Sequence, residues 1–319
     1  MTNITQSNKY DSGISFVFPG QGSQKVGMGK DLLEFKTSKD IFDRVDNALG
    51  RKLSSIIFDG PDDNLMQTYN AQPAIMTVSI ACYEAMKERC SNDFPSPKYV
   101  AGHSLGEYTS LYAAGAIDLE SVVKLVKYRG KLMSKSDKSG NGKMVAIIGL
   151  DINHIKKLIK SFKHEGICEL ANDNSNGQVV ISGDMDAVNL FKEYAKKEGA
   201  KLTIDLKVSA PFHCKLMQDA AREMEKELNK IHFFDSNIPI VFNVDALSFY
   251  KNRNFPALLS KQIINTVKWR ETILFMENKG VKKIFEIGPG NVLSGLIKRI
   301  TKNIECFSIQ NPEDMDNLK

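Results

Sequence analysis

Five cysteines in 319 residues, Cys82, Cys90, Cys168, Cys214 and Cys306, form no C-x-x-C pair, and the five histidines are equally scattered. That spacing supports neither a zinc site nor a disulfide framework, so the expectation is free thiols in a reducing compartment and no metal. No apolar run approaches the roughly 20 residues a membrane-spanning helix needs. The opening MTNITQSNKYDS has neither the basic start nor the apolar core of a signal peptide and reads as a short disordered tail. A cytoplasmic protein without membrane contact is expected. The surplus of positive charge is only +5, and the lysines are spread along helical stretches, which argues against a nucleic-acid surface. GQGSQ lacks the Lys-Ser/Thr of a phosphate loop and no G-x-G-x-x-G occurs, so no nucleoside triphosphate or dinucleotide site is expected, and no cofactor.

What is present is enough apolar sequence, 42% of residues, for a sizeable core, with 25% charged residues to cover it. The segment SKSDKSGNGK, 134–143, has no apolar period and reads as a linker or long loop. Beyond it MVAIIGL reads as a strand, and DINHIKKLIKSFKHEG as a helix opened by Asp151, carrying His154 and His164. CELAND and QVVISG follow as strands, DMDAVNLFKEYAKKEG as a helix and KLTIDLKVS as a strand. The order β-α-β-β-α-β is the split pattern of a ferredoxin-like unit. On either side, ISFVFPG, KYVAGH and KKIFEIGPG are strands feeding helices, the mark of a parallel sheet in an α/β domain. The predicted organisation is a discontinuous large domain, 1–136 and 208–319, with a small ferredoxin-like domain, 137–207, inserted in it.

GHSLG, Gly102 to Gly106, fits G-x-S-x-G between the apolar strand YVA and the helical run LGEYTSLYAAGAI. Such a strand-to-helix turn lifts a serine hydroxyl clear of its neighbours, making Ser104 a candidate nucleophile. It also places the Leu105 backbone N–H at a helix start, where an oxyanion can be held. His103 beside the serine reads as a local hydrogen-bonding and steric element rather than a base. Among the histidines, His213 stands out in VSAPFHCKLM at a loop-to-helix junction, where a ring can face a serine while its second nitrogen is held by another group. Asp245 and Glu286 are candidate acids for that third place, neither with a distinguishing context. In DLESVVKLVKYRGKLMSKS, Arg129 falls in phase with Val122, Val126 and Met133 on the apolar face. A buried arginine needs an anion: either an internal partner such as Glu107 or a substrate carboxylate that it clamps.

Taken together, FVFPGQGSQKVGMG, GHSLGEY, YRG, NSNGQVVISG, SAPFHC, KQIINTVKW and EIGPGNVLSGLIKRI resemble, in order, the motifs of the malonyl-CoA:acyl-carrier-protein transacylase family of fatty-acid synthesis, which is similar to the acyltransferase domains of polyketide synthases. The likeness runs from Ile14 to about Gln310. It implies an α/β-hydrolase-like large domain carrying the ferredoxin-like unit, with the active site between them. It also implies that Gln21 supplies a second oxyanion N–H, that Asn174 reaches the cleft, and that the backbone carbonyl of Gln262 is the third member of the triad. Phe212 beside His213, with His103 beside Ser104, is similar to the malonyl-preferring members. Asn176 and Thr266 stand where proline is frequent in the family.

The activity implied is ping-pong transfer of a malonyl group from malonyl-CoA, through an ester on Ser104, to the phosphopantetheine thiol of acyl carrier protein, with Arg129 holding the malonyl carboxylate. The expected partners are that carrier and the CoA thioester, and the expected state is a monomer. A serine thioesterase or other hydrolase, a trans-acting polyketide acyltransferase, and a scaffold that binds carrier without chemistry are the competing readings.

Overall fold

A computed structural model describes residues 13–137 and 140–318. The N-terminal segment read as a tail and two residues of the 134–143 loop lie outside the described residues.

Along the chain, β1 (Ile14–Phe18) and β2 (Tyr99–Gly102) come first. β3 (Gly142–Ile148), β4 (Cys168–Ser175), β5 (Gln178–Asp184) and β6 (Leu202–Asp205) follow as a group, and β7 (Ile240–Val241), β8 (Ser248–Phe249), β9 (Lys283–Ile287) and β10 (Glu305–Ile309) close the series. The first sheet has the order β10-β9-β1-β2-β7-β8, parallel except for β8. Its centre, β1, is apolar on both faces because both are covered: Phe16 and Phe18 pack into one core layer and Val17 into another. The helix Thr68–Cys90 is buried along most of its length, which its run of alanines and branched aliphatics permits, and it packs against the helices Lys36–Leu49 and Leu119–Lys135. Among the described residues no helix is long and apolar enough to cross a membrane.

The second sheet is antiparallel, with the order β4-β5-β3-β6. The helices Ile152–Ser161 and Met185–Lys197 pack their Ile155, Leu158, Val188 and Phe191 against Val145, Ile147, Val179 and Ile181 of its strands. Asp151 caps the first of these helices, its carboxylate accepting the N–H groups of Asn153 and His154. That helix ends at Ser161, short of the reading from sequence, and His164 lies beyond it with its ring 4.7 Å from that of Phe162. Phe162, the last apolar residue of the helical period, leaves the helix to join the aromatic cluster with Phe191 and Tyr194.

Backbone bonds tie the second sheet to the chain outside it. Asp173 N–H donates to Val267 O (3.0 Å) and Val267 N–H to Ala171 O (2.8 Å), a parallel bridge between β4 and the segment leading to helix Trp269–Asn278. Arg270 adds a bidentate ion pair to the buried Asp173. The two positions where the family often has proline donate to this seam instead: Thr266 Oγ1 to Leu170 O (2.6 Å), and Asn176 Nδ2 to Arg299 O (3.0 Å). Thr266→Val keeps the shape and deletes the bond, so it is expected to lower unfolding stability by about 1 kcal/mol. An unchanged urea midpoint would show that contact to be idle.

Candidate functional site

Two glycines make the turn after β2 possible. A methyl group on Gly102 would sit 1.8 Å from Gly106 C, and one on Gly106 would lie 2.2 Å from Phe18 O, so strand, turn and helix can approach this closely only without side chains there. Between them Ser104 takes φ +50°, a left-handed conformation rare for serine, and His213 takes φ +60°. Both are buried, and their side chains meet across 109 residues of chain: Ser104 Oγ is 2.8 Å from His213 Nε2. His213 Nδ1 is 2.8 Å from Gln262 O. A carbonyl oxygen can only accept, so Nδ1 carries the proton, Nε2 is the acceptor, and the Ser104 hydroxyl donates to it. Burial, aided by the charge of Arg129, pushes the affinity of His213 for a second proton down to about 3, so the ring is neutral and able to take a proton from the serine.

Arg129 is 1% exposed. Its NH1 donates to Gln72 Oε1 (2.7 Å) and its NH2 to Gln262 Oε1 (2.9 Å) and Ser104 Oγ (3.1 Å). Its Nε has no partner, and among the described residues no carboxylate comes within ion-pair distance. The internal partner considered from sequence, Glu107, does not touch the guanidinium. Its two carboxylate oxygens accept the Asn243 N–H and the Gln262 side-chain amide, so Gln262 stands between the two charges. Burial raises the Glu107 pKa to about 8, against the opposing pull of Asn243, Gln262 and Arg129.

A cavity of 310 Å³ opens onto this group and is lined by Gln21, His103, Ser104, Leu105, Arg129, Phe212 and His213, among others. It is within the range of small-molecule sites. A buried cation lacking an anion, placed beside a serine and a neutral histidine, is suited to hold a carboxylate while the serine attacks a nearby carbonyl. Among the described residues the backbone N–H groups of Leu105 and Gln21 donate to no other group, leaving both available to a developing oxyanion. Gln21 is steadied by its side chain, Nε2 donating to Thr68 Oγ1.

The candidate residues do not all stand where the sequence suggested. Asn174 is not in the cavity wall; Asn172, two residues earlier on β4, is. Asn174 Oδ1 instead meets His103 Nε2 at 2.9 Å, while the His103 ring packs edge-on against Trp269. Glu286 is no partner for His213: its carboxylate accepts the N–H groups of Leu293 and Ser294 at the start of helix Val292–Ile300, and Asp245 is exposed. Gln72 and Asn243 were missed as parts of the site, and Glu107 was considered only as an ion-pair partner of Arg129. A glutamine buried in the apolar run of Thr68–Cys90 was the one available signal. No cluster among the described residues has the make-up of a metal site.

The sequence model of the family described as acyl transferase domain matches residues 15–311. The chain is 41% identical over 307 residues to the malonyl CoA-acyl carrier protein transacylase of Bacillus subtilis (strain 168), covering 96% of each. It is 39% identical to the protein of the same name from Escherichia coli (strain K12), over 95% of this chain and 97% of that one. Among solved structures it resembles an acyl-carrier-protein-S-malonyltransferase from Bartonella henselae, with TM-score 0.92, 42% identity and 96% and 98% of the two chains covered. It also resembles a malonyl-transacylase solved in complex with its type II PKS acyl-carrier protein, with TM-score 0.92, 37% identity and 96% and 98% covered.

Proposed function

Because the chain belongs to the acyl transferase domain family, we propose that it carries a malonyl group from malonyl-CoA to the phosphopantetheine thiol of acyl carrier protein, the step that feeds malonyl units into fatty-acid synthesis. The observation that carries this reading is the buried Arg129 guanidinium, lacking a carboxylate partner and 3.1 Å from the Ser104 hydroxyl.

Ser104 Oγ attacks the thioester carbonyl of malonyl-CoA while its proton passes to His213 Nε2. The Gln262 carbonyl holds the ring's Nδ1–H and so favours the imidazolium that forms. The oxyanion is taken by the N–H groups of Leu105 and Gln21. The tetrahedral centre collapses, its C–S bond breaks, and CoA leaves with the proton from His213. The carrier thiol then enters, gives its proton to His213 and attacks the ester carbonyl; the second tetrahedral centre collapses, its C–O bond to Ser104 breaks, and Ser104 Oγ takes the proton back from His213. Arg129 pairs with the malonyl carboxylate throughout, and Phe212 and His103 shape the wall beside the acyl group. Asn174 acts through His103. No step consumes a cofactor.

The βαββαβ order and the strand order β4-β5-β3-β6 support a ferredoxin-like small domain over 137–207. The parallel sheet with its serine at a strand-to-helix turn supports an α/β-hydrolase-like domain over 1–136 and 208–319. We take the chain to act as a cytoplasmic monomer.

The direct test is to mix the protein with malonyl-CoA, quench in acid, and find a malonyl ester on the Ser104 peptide by mass spectrometry. An ester that water discharges faster than carrier thiol would make the protein a thioesterase instead. The likeness to a transacylase bound to a polyketide carrier makes such a carrier the second acceptor to assay. The pH profile offers a further check. His213 works only when neutral, and with its proton affinity held low the acid limb of kcat/KM should fall well below the ordinary histidine value near 6.5. Half the acylation rate lost near pH 6.5 would contradict this.

A further inference from the structure

Glu107 follows the nucleophile by three residues, is completely buried and does not line the cavity, so the chemistry above gives it no task. Its contacts are unusual for a carboxylate with no cation bonded to it. One oxygen accepts the backbone N–H of Asn243, whose side chain in turn holds the serine turn from both sides: Oδ1 takes the Ser104 N–H (2.7 Å) and Nδ2 donates to Gly102 O (2.7 Å). The other oxygen accepts the side-chain amide of Gln262. That amide also donates to Ser104 O (2.8 Å), while its own oxygen faces Arg129 (2.9 Å) and the same residue's main-chain carbonyl holds His213.

We infer that Glu107 is a positioning residue: by dictating which way the Gln262 amide points, and by fixing Asn243, it sets the resting places of Ser104, His213 and Arg129 together. The reason lies in donor and acceptor counting. A donor stands against each carboxyl oxygen, the Asn243 N–H at one and the Gln262 amide at the other, so although burial raises its pKa, Glu107 in this arrangement serves as an acceptor on both sides, which admits the –NH2 end of Gln262 and excludes the oxygen. With –NH2 turned to Glu107 and Ser104 O, the amide oxygen must face the guanidinium. A flipped amide would set –NH2 against Arg129 and oxygen against two acceptors. Buried polar groups leave no water to absorb such a mismatch, so the network is all-or-none.

The inference rests on the acyl-transfer reading and is tested with full-length protein. In Glu107→Gln the new amide can accept from only one of its two donors and presents –NH2 to the other, which favours the flipped Gln262. The expected result is malonyl ester formation on Ser104 slowed by about 10- to 100-fold per folded molecule, as for other supports of a reacting pair. The preference for malonyl-CoA over acetyl-CoA in competition should shrink several-fold, because Arg129 has lost its place. A carboxylate that serves only the fold would change melting temperature but leave both rate per folded molecule and preference as in wild type, and that result overturns the inference. Should Glu107→Gln not fold, Glu107→Asp, which keeps an acceptor one methylene short, is measured by the same two readouts, with a smaller loss of both expected and no loss of either again decisive against it. Absence of any ester on the wild-type protein would instead sink the acyl-transfer reading itself.

Discussion

Replacing His213 with alanine is expected to slow malonylation of Ser104 by about 10³-fold, within the 10²- to 10⁴-fold that a positioned general base contributes. The serine hydroxyl would then have Arg129 as its neighbour, 3.1 Å away, but a guanidinium can only donate and takes no proton from it. The ring's other contact, to Gln262 O, lies on the far side from the cavity, so its loss adds an unsatisfied carbonyl but moves no substrate-facing group. Rapid-quench mass spectrometry on protein with wild-type circular dichroism measures the effect. A rate within tenfold of wild type would mean that some other group accepts the serine proton, and the mechanism would have to be rebuilt around it.

Arg129→Ala is expected to leave Ser104 reactive but to erase most of the preference for malonyl over acetyl donors, a change on the order of 10²- to 10⁴-fold if the buried pair with the substrate is worth about 3 to 5 kcal/mol. The guanidinium is ready before substrate arrives. It is held by two amide oxygens and a hydroxyl, none of them charged, so a carboxylate entering the cavity finds a cation already desolvated and pre-oriented. An acetyl group offers that cation nothing. The ratio of malonyl to acetyl ester formed on Ser104 from an equal mixture of the two CoA esters reports the preference directly, and an unchanged ratio would remove Arg129 from the specificity of the reaction. The substitution should also raise the acid limb of the pH profile, since the Arg129 charge stands second to burial among the causes that hold protons off His213.

Local signals were readable in the sequence where they are local in origin. The turn at Ser104 could be placed because its glycines, strand and helix are contiguous, and the cap at Asp151 because a capping side chain bonds to the N–H groups two and three residues on. Arg129 could be put on a buried face by helical phase alone. Its partners could not, because Gln72 and Gln262 lie 57 and 133 residues away and reach it only through the packing of separate helices. Glu107 was misjudged for the same reason: opposite charges suggest a pair, whereas folding set an amide between them. The short strands β7 and β8, two residues each, carry too little pattern to be seen in advance. The role of the Gln262 carbonyl is legible only by resemblance, since a main-chain oxygen leaves no trace in residue type.

The left-handed backbone at both Ser104 and His213 has a consequence for how activity is lost. Non-glycine residues leave that region readily once tertiary contacts slacken, and each would swing its side chain away from the other. Competence therefore belongs to the assembled molecule and to nothing smaller: excised peptides bearing GHSLG or SAPFHC should be inert. In a slow thermal ramp, ester-forming ability should disappear a few degrees ahead of helicity, as two springs relax before the frame that loads them gives way.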